Sequence, residues 1–544
     1  MGVFVSLSRG LFANDPDGGA SMKRWNPSPV LSRKEEFLLK RLRRTRKLFA
    51  FLRLHRHEIF DDSFQAELEG MYRNTGAGDE PVPPALMCMV TILQGYLGIS
   101  DAEAVELSIV DARWQMVLGC LGAEDPPFSQ GGLQGFRERL IAADMDRRLL
   151  ERTIELARRT KEFDWKKLPK DLRLAVDSRP LEGAGRVEDT FNLLGHATRK
   201  IVECAAVILK KPCTVICQLA GIPLLLHSSV KAGLDVNWSD PEEKEHALEK
   251  LVGQVTSLHD WIEKQQLDLK EPIRPYIEAV AQVYKQDLED DAQGVRIRLG
   301  VAEDRRVSIE DSQMRHGRKS KSKRFNGYKQ HIAADLDTGL IAACAVTPAN
   351  RPEEEAMPEI KADIDRQGRI VGELAIDRAY INSALVSEVI AGGGEVVAKP
   401  WTARNIRGDL FTKADFRINM RSKTLTCPAG QVEAFEPGDV VEFDPEQCGS
   451  CPLRSQCTFS ASGRGRTVQI AEDEQLQHRL RKLQASPKGR ERLRERVGIE
   501  HHLAHLSARQ GPKARYKGCR KNLFDLRRAA AIQNLETNQR MMAA

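Results

Sequence analysis

The sequence predicts a mixed α/β core, a single sheet with helices packed on it, preceded by an all-α domain. Three observations carry this. Two short apolar runs, LAVDS (Leu174–Ser178) and LAIDR (Leu374–Arg378), each hold a β-branched residue and end on an aspartate. Between them, GYKQHIAADLDTGLIAACAVTPAN alternates as two strands around a turn at Asp337-Thr338-Gly339, the mark of a hairpin. Residues 30–165 instead place apolar side chains at helical spacing, with few β-branched runs.

Taken in order, residues 1–29 form a Gly- and Asp-containing leader without periodicity, expected to be disordered, and Met22 is an alternative start to Met1. Ser32 with Glu35 makes a capping box that opens the amphipathic helix SRKEEFLLKRLRRTRKLFAFL. VPPALMCMVTILQGYLG starts on prolines, and the next helix caps on Ser100. FSQGGLQGFRERLIAADMDRRLLERTIELARRTKEF continues the helical pattern, and Trp114 in DARWQM is expected in packing rather than base stacking. The α/β core spans 170–400 and is interrupted by a helical insertion over about 186–295. Collapsing that insertion leaves strand–Asp, hairpin, helix, strand–Asp, helix, strand. Residues 402–468 are turn-rich and carry four cysteines, and 470–544 are helical and basic.

With 544 residues, 41% hydrophobic and 29% charged, the chain has the composition of a multidomain globular protein. It holds no apolar run of about eighteen residues, so no membrane span is expected. The eleven cysteines are unevenly placed, which argues against a disulfide framework and for a reducing cytoplasm. Cys88, Cys120, Cys204, Cys213, Cys217 and Cys344 stand in apolar surroundings and read as core. A net charge of +6 conceals three basic clusters. Leu39–His57 has eight Lys/Arg and no acid, Arg479–Arg528 has sixteen against four acids, and MRHGRKSKSKRF (Met314–Phe325) is the third. Together they favour a polyanionic partner, nucleic acid being the usual one.

Asp177 and Asp377 each end a strand, which in an open α/β sheet projects a side chain into the ligand crevice. On adjacent strands the two carboxylates would need a cation between them, and hard oxygen ligands suit Mg²⁺ or Mn²⁺. Two independent turn-capping aspartates are the alternative reading. A third acid, Glu500 in RERVGIEHHLAHL, follows Arg496 by four residues and Arg492 by eight, so the spacing predicts all three on one helix face. A solvated ion pair is the alternative. His501, His502 and His505 lack the HExxH pattern and are expected to face solvent or DNA.

DSRPLEGAGRVEDTFNLL, GYKQHIAADLDTGLI…VTPAN, LAIDRAYIN, CPAGQ…C..CPLRSQC, R-x-x-x-E and RYKGCRKNLFDL, in this order, resemble bacterial insertion-sequence transposases of the DDE class, nearest to the group numbered eleven-eighty-two. The resemblance covers most of the chain. It implies an RNase H-like catalytic core, with Asp177, Asp377 and Glu500 as catalytic acids holding two Mg²⁺ (or Mn²⁺) ions. It also implies double-stranded DNA as partner, both the element's inverted repeats and the target. A homodimer or larger synaptic assembly and a cytoplasmic, nucleoid-associated location are implied as well. Two positions depart from the related five-type pattern: Leu493 and Ser507 stand where that pattern has a Tyr and a Lys or Arg. Arg318, Lys319, Lys321, Lys323, Arg324, Lys329, Arg492, Arg496, Arg515, Lys517 and Lys521 are expected on the DNA backbone, where contacts are salt-dependent. The all-helical 30–165 domain is expected to recognise the element ends. A catalytically inactive DNA-binding relic and a host nuclease or resolvase are the alternatives. Cys427, Cys448, Cys451 and Cys457, spaced x20, x2 and x5, can make a structural zinc site or a reduced cluster among turns.

Overall fold

Leu174 pairs with Leu374 and Ala175 with Ala375 in parallel, so the two Asp-ended runs lie side by side in matching register. The computed structural model describes residues 22–42, 47–72, 80–159, 169–291, 294–320, 322–401, 410–460 and 463–542. Residues 1–21 of the expected leader, the basic residues 43–46 and Lys321 lie outside the described residues. The chain divides into two compact units, Met1–Phe163 with Asn534–Ala544, and Asp164–Gln533.

The first unit is helical: α1 (Arg33–Arg41), α2 (Lys47–Ile59), α3 (Asp62–Glu69), α4 (Pro84–Leu97), α5 (Asp101–Val110), α6 (Ala112–Leu118), α7 (Gln130–Ala142) and α8 (Met145–Arg159). Ser32 and Glu35 form the expected capping box on α1, and Ser100 caps α5. α4 is buried along most of its length, and Trp114 is fully buried in the same core. The helical pattern expected from Phe128 onward is realised as two helices, parted at Asp144, whose φ of 55° ends α7 before α8 begins.

Two of the five described Lys/Arg of the basic run in this unit, Arg53 and Arg56, turn inward. Arg53 Nε donates to Glu35 at 2.6 Å, and the Arg56 guanidinium donates to the carbonyls of Met116 (3.0 Å), Val117 (2.9 Å) and Ser28 (2.8 Å). The carbonyls at the end of α6 have no helical partner and need donors, which Arg56 supplies. Burial, with Arg53 nearby, holds its pKa down at about 10.

The second unit starts with β1 (Leu172–Glu182). The chain then leaves the sheet for α9 (Thr190–Leu209), α10 (Cys213–Leu219), α11 (Val230–Leu234), α12 (Pro241–Lys264) and α13 (Arg274–Asp287), followed by the ribbon β2 (Leu288–Asp291) and β3 (Gly294–Ile297). This insertion has a core of its own, built on Leu193, Leu194, Ala197, Leu248, Leu251 and Ile262. The chain returns as β4 (Arg315–Arg318), β5 (Arg324–Asp335), β6 (Ile341–Pro348), α14 (Met357–Arg366), β7 (Val371–Ala375), α15 (Ala384–Ala391) and β8 (Glu395–Val397).

In the sheet, β5 pairs antiparallel with β1 on one side and with β4 and β6 on the other. β1, β7 and β8 run parallel. This mixed, helix-flanked sheet is compatible with an RNase H-like core. The β5–β6 turn is the expected one: Gly339 takes φ 66°, and Thr338 Oγ1 donates to Asp335 at 2.7 Å. Gly327 allows β5 to lie close on β1, since a Cβ there would stand 2.1 Å from the Leu181 carbonyl oxygen.

Beyond β8 comes a region of short elements: β9 (Arg417–Asn419), β10 (Thr424–Thr426), β11 (Val432–Ala434), β12 (Val440–Glu442), α16 (Pro445–Gly449), α17 (Arg454–Cys457) and β13 (Thr467–Gln469). Then follow α18 (Glu474–Ala485), α19 (Pro487–Glu495), α20 (Val497–Gln510) and α21 (Cys519–Met541). No single described helix is long and apolar enough to cross a membrane.

Candidate active site

Both aspartates stand two residues past the paired alanines, where the parallel β1–β7 ladder stops; Asp377 follows the end of β7, but Asp177 lies inside β1, which runs on beside β5 to Glu182, contrary to the expectation that both end a strand. Each carboxylate accepts the next backbone N–H, but only Asp377 does so at a turn. Asp177 Oδ1 accepts the Ser178 N–H at 2.8 Å, and Asp377 Oδ1 accepts the Arg378 N–H at 2.8 Å to cap a short 3-10 turn, Arg378–Tyr380. Asp377 is exposed. The Asp177 side chain is only 18% exposed, and its second oxygen accepts from Arg496 Nη1 at 2.9 Å. Burial pushes the Asp177 carboxyl above its usual range against the pull of the Ser178 N–H and Arg496, and the neighbouring Asp377 charge adds to the rise.

Glu500 arrives from α20. Ile499, Leu503 and Leu506 are buried and pack that helix on β1 and β5, which leaves Glu500 exposed on the other face. Its carboxylate is 3.8 Å from Arg496. One guanidinium therefore touches both the buried aspartate and the helical glutamate.

Arg492 does not share this face, contrary to what the spacing predicts. A turn at Arg496 separates α19 from α20, and Arg492 reaches instead to Glu373 (2.7 Å) on β7 and Glu395 (2.5 Å) on β8. Arg173 joins the same network through Asp337 (3.1 Å), Glu373 (3.2 Å) and Glu495. These ion pairs fasten α19 to the sheet and so fix where Arg496 and Glu500 begin.

Behind the aspartates lies a relay that sequence reasoning missed. His331 on β5 is fully buried; Nδ1 shares a hydrogen bond with Tyr380 Oη at 2.8 Å and Nε2 with Thr347 Oγ1 at 3.0 Å. Burial, with Lys329 nearby, pushes the His331 pKa down to about 3, so its ring is neutral. Tyr380, also buried, ends the turn that Asp377 caps and interacts with Ser178 beside Asp177. No alternation marked His331, because Gly327–Asp335 of β5 is buried on both faces.

Of the residues expected on DNA, Arg318, Lys319, Lys323 and Arg324 are exposed at the β4–β5 hairpin, where Arg318 pairs with Arg324 in register. Lys329 is buried, donating to the Arg351 carbonyl (2.7 Å) and pairing with Glu353 (2.9 Å). Arg515, Lys517 and Lys521 are exposed, with Lys517 on Glu310 at 2.6 Å. Arg527 and Arg528 of the C-terminal basic cluster are buried, Arg527 on Asp363 at 3.1 Å. His501 and His505 face solvent, while His502 Nδ1 and Gln533 Nε2 are 2.6 Å apart. Cys88, Cys217 and Cys344 are core, Cys120 and Cys204 are partly buried, and Cys213 is exposed at the first turn of α10, contrary to expectation. The four expected metal-site cysteines, Cys427, Cys448, Cys451 and Cys457, line one cavity. Among the described residues, the group of three or more ligand atoms lying within 4.8 Å of one another is His259, Asp260 and Glu263, exposed on α12. Asp177 and Glu500 thus meet at Arg496, with Asp377 near Asp177, and the three acids do not close on one another.

Comparison with known families adds two matches. Residues 426–538 match a family described as "Transposase DDE domain", and residues 40–139 match one described as "Transposase domain (DUF772)". The first match includes Glu500 and the four cysteines and begins after both aspartates. No curated protein and no solved structure matches the chain.

Proposed function

We propose that this chain, an insertion-sequence DDE transposase, binds the inverted-repeat ends of its element and performs metal-dependent strand cleavage and strand transfer there. Members of this family generally use divalent metal ions. The observation that carries the reading is the shared register of Asp177 and Asp377, with Arg496 joining Asp177 to Glu500. Three hard oxygen donors suit Mg²⁺ or Mn²⁺, and the need for positive charge among them is visible, since a guanidinium already answers it. The residues therefore fit the ions.

Asp177, Asp377 and Glu500 would hold two such ions. Asp177 is the acid common to both contacts, feeling the Asp377 charge and sharing Arg496 with Glu500. When bound, the ions supply activation of a water or a DNA 3′-hydroxyl and stabilisation of the departing 3′ oxygen. Arg496, released from Asp177, is then free to meet a phosphate. The Tyr380–His331–Thr347 relay holds the turn that presents Asp377, and a neutral His331 does so without adding charge beside the acids. The exposed hairpin of Arg318, Lys319, Lys323 and Arg324 supplies sequence-independent phosphate contacts. Joining two element ends requires at least a dimer during reaction.

The test is cleavage of repeat-end DNA in Mg²⁺ by wild type, Asp377→Asn and Glu500→Gln. Both side chains are exposed, so the variants should fold. Loss of cleavage in both by roughly 10³-fold or more, with DNA binding kept, is the expected result. Folded variants that cut as well as wild type would remove the assignment, and a wild type that binds the ends without cutting would indicate a relic.

A further inference from the structure

We infer that Cys427, Cys448, Cys451 and Cys457 bind one zinc ion in a structural site, separate from the carboxylates, that keeps residues 410–470 folded. The four come from three pieces of chain: the β10–β11 turn, the end of α16 with the loop after it, and the end of α17. All line a single small cavity of ≈ 20 Å³, walled by Phe411, Phe443 and Arg466. Convergence of four sulfurs from separate turns on one cavity is not expected of side chains placed merely to make turns.

The turn at Cys427 is built to hold a thiolate. Gly430, at φ 93°, folds the chain back so that the Cys427 N–H reaches the Gln431 carbonyl at 2.9 Å and the Gln431 N–H points at Cys427 Sγ at 3.3 Å. An N–H donated to a ligand atom is the outer-shell support that metal sites use.

The region also needs a staple. Its core consists of Phe416, Leu425, Phe435, Val441, Phe443, Val468 and Ile470, holding together strands of three residues each. So small a core rarely supports a fold alone, and disulfides or a structural metal commonly make up the difference. All four cysteines are free thiols, so no disulfide serves here. Cys427, Cys448 and Cys457 pack directly against this core, where a tie between the turns would be most effective. Four sulfur donors select zinc over Mg²⁺, and four thiolates in one cavity would repel without a cation. No three of the sulfurs lie within 4.8 Å of one another, so binding is expected to draw the turns inward.

The full chain, purified without chelators, should carry about one zinc per chain by elemental analysis. Grown with cobalt, it should show the visible bands and sulfur charge transfer of a tetrahedral cobalt–thiolate site. Cys451→Ser should lose the metal and melt at lower temperature, while His259→Ala should keep it. Should Cys451→Ser fail to fold, thiol reactivity of wild type decides: chelation should speed modification of four thiols by at least roughly tenfold. Reduced wild type without zinc or a cobalt–thiolate spectrum, Cys451→Ser with full zinc, or thiols indifferent to chelation would each overturn the site. So would a disulfide among the four in freshly purified protein.

Discussion

Replacing Arg496 by methionine keeps most of the side chain's bulk and removes its charge, leaving Asp177 and Glu500 without their shared partner. The Nη1–Oδ2 distance is 2.9 Å, and the two side chains are 21% and 18% exposed. Unit charges about 4 Å apart at an effective dielectric of about 20 attract by about 4 kcal/mol. Partial exposure and salt reduce this toward the scale measured for accessible pairs, to about 1.5 kcal/mol. A cation entering between the acids must displace the guanidinium and forfeit that energy, which the variant never had. About 1.4 kcal/mol is tenfold in an equilibrium constant, so DNA-free Arg496→Met should bind Mn²⁺ roughly tenfold more tightly than wild type by titration calorimetry. Its metal-free melting temperature should fall and recover further on adding Mn²⁺ than that of wild type. Equal or weaker Mn²⁺ affinity in the variant would refute the idea that Arg496 holds the place of a metal.

Neutralising Arg318, Lys319, Lys323 and Arg324 together should weaken DNA binding on all sequences alike. The log–log salt dependence should flatten by about 0.9 for each phosphate no longer neutralised, measured by anisotropy across a salt series. Lys329→Ala should leave that slope unchanged and instead lower stability by about 1 kcal/mol, because the part-buried Arg351 carbonyl and Glu353 lose their partner. His331 is neutral in the fold with a pKa of about 3, against 6.5 for an ordinary imidazole. The unfolded chain takes up a proton that the fold refuses, so the stability from this group is full above about pH 6.5 and declines as pH falls toward 3. Urea midpoints followed over that window should drop for wild type and drop less for His331→Gln. Parallel curves would exclude His331 as the cause.

The alignment of LAVD on LAID was legible because apolar, β-branched runs ending on Asp carry strand, burial and crevice information in the same few letters, even 200 residues apart. Glu500 was legible through the buried Ile499 and Leu503 beside it. Arg492 was not, because i, i+4 spacing assumes an unbroken helix; Gly498, two residues past the turn at Arg496, hints at the break, but the partners on β7 and β8 decide where Arg492 goes. Arg53, Arg56, Arg527 and Arg528 read as surface charge, yet carbonyls and acids distant in sequence draw the first three inside, and Arg528 is buried on nearby Asp525. The β4–β5 hairpin was hidden in a run that alternates no apolar residues, and the His331–Tyr380 hydrogen bond joins residues 49 apart whose meeting depends on the sheet register.

The central claim is that Asp377 binds a divalent ion together with Asp177 and Glu500. Asp377 is exposed, so Asp377→Cys should fold and bind DNA as wild type does. Mg²⁺ demands hard oxygen ligands, whereas Mn²⁺ tolerates a thiolate better. Asp377→Cys should therefore be inactive on repeat-end DNA in Mg²⁺ and regain cleavage in Mn²⁺. Wild-type cleavage by the variant in Mg²⁺, or a folded, DNA-binding variant that Mn²⁺ does not rescue, would contradict the claim.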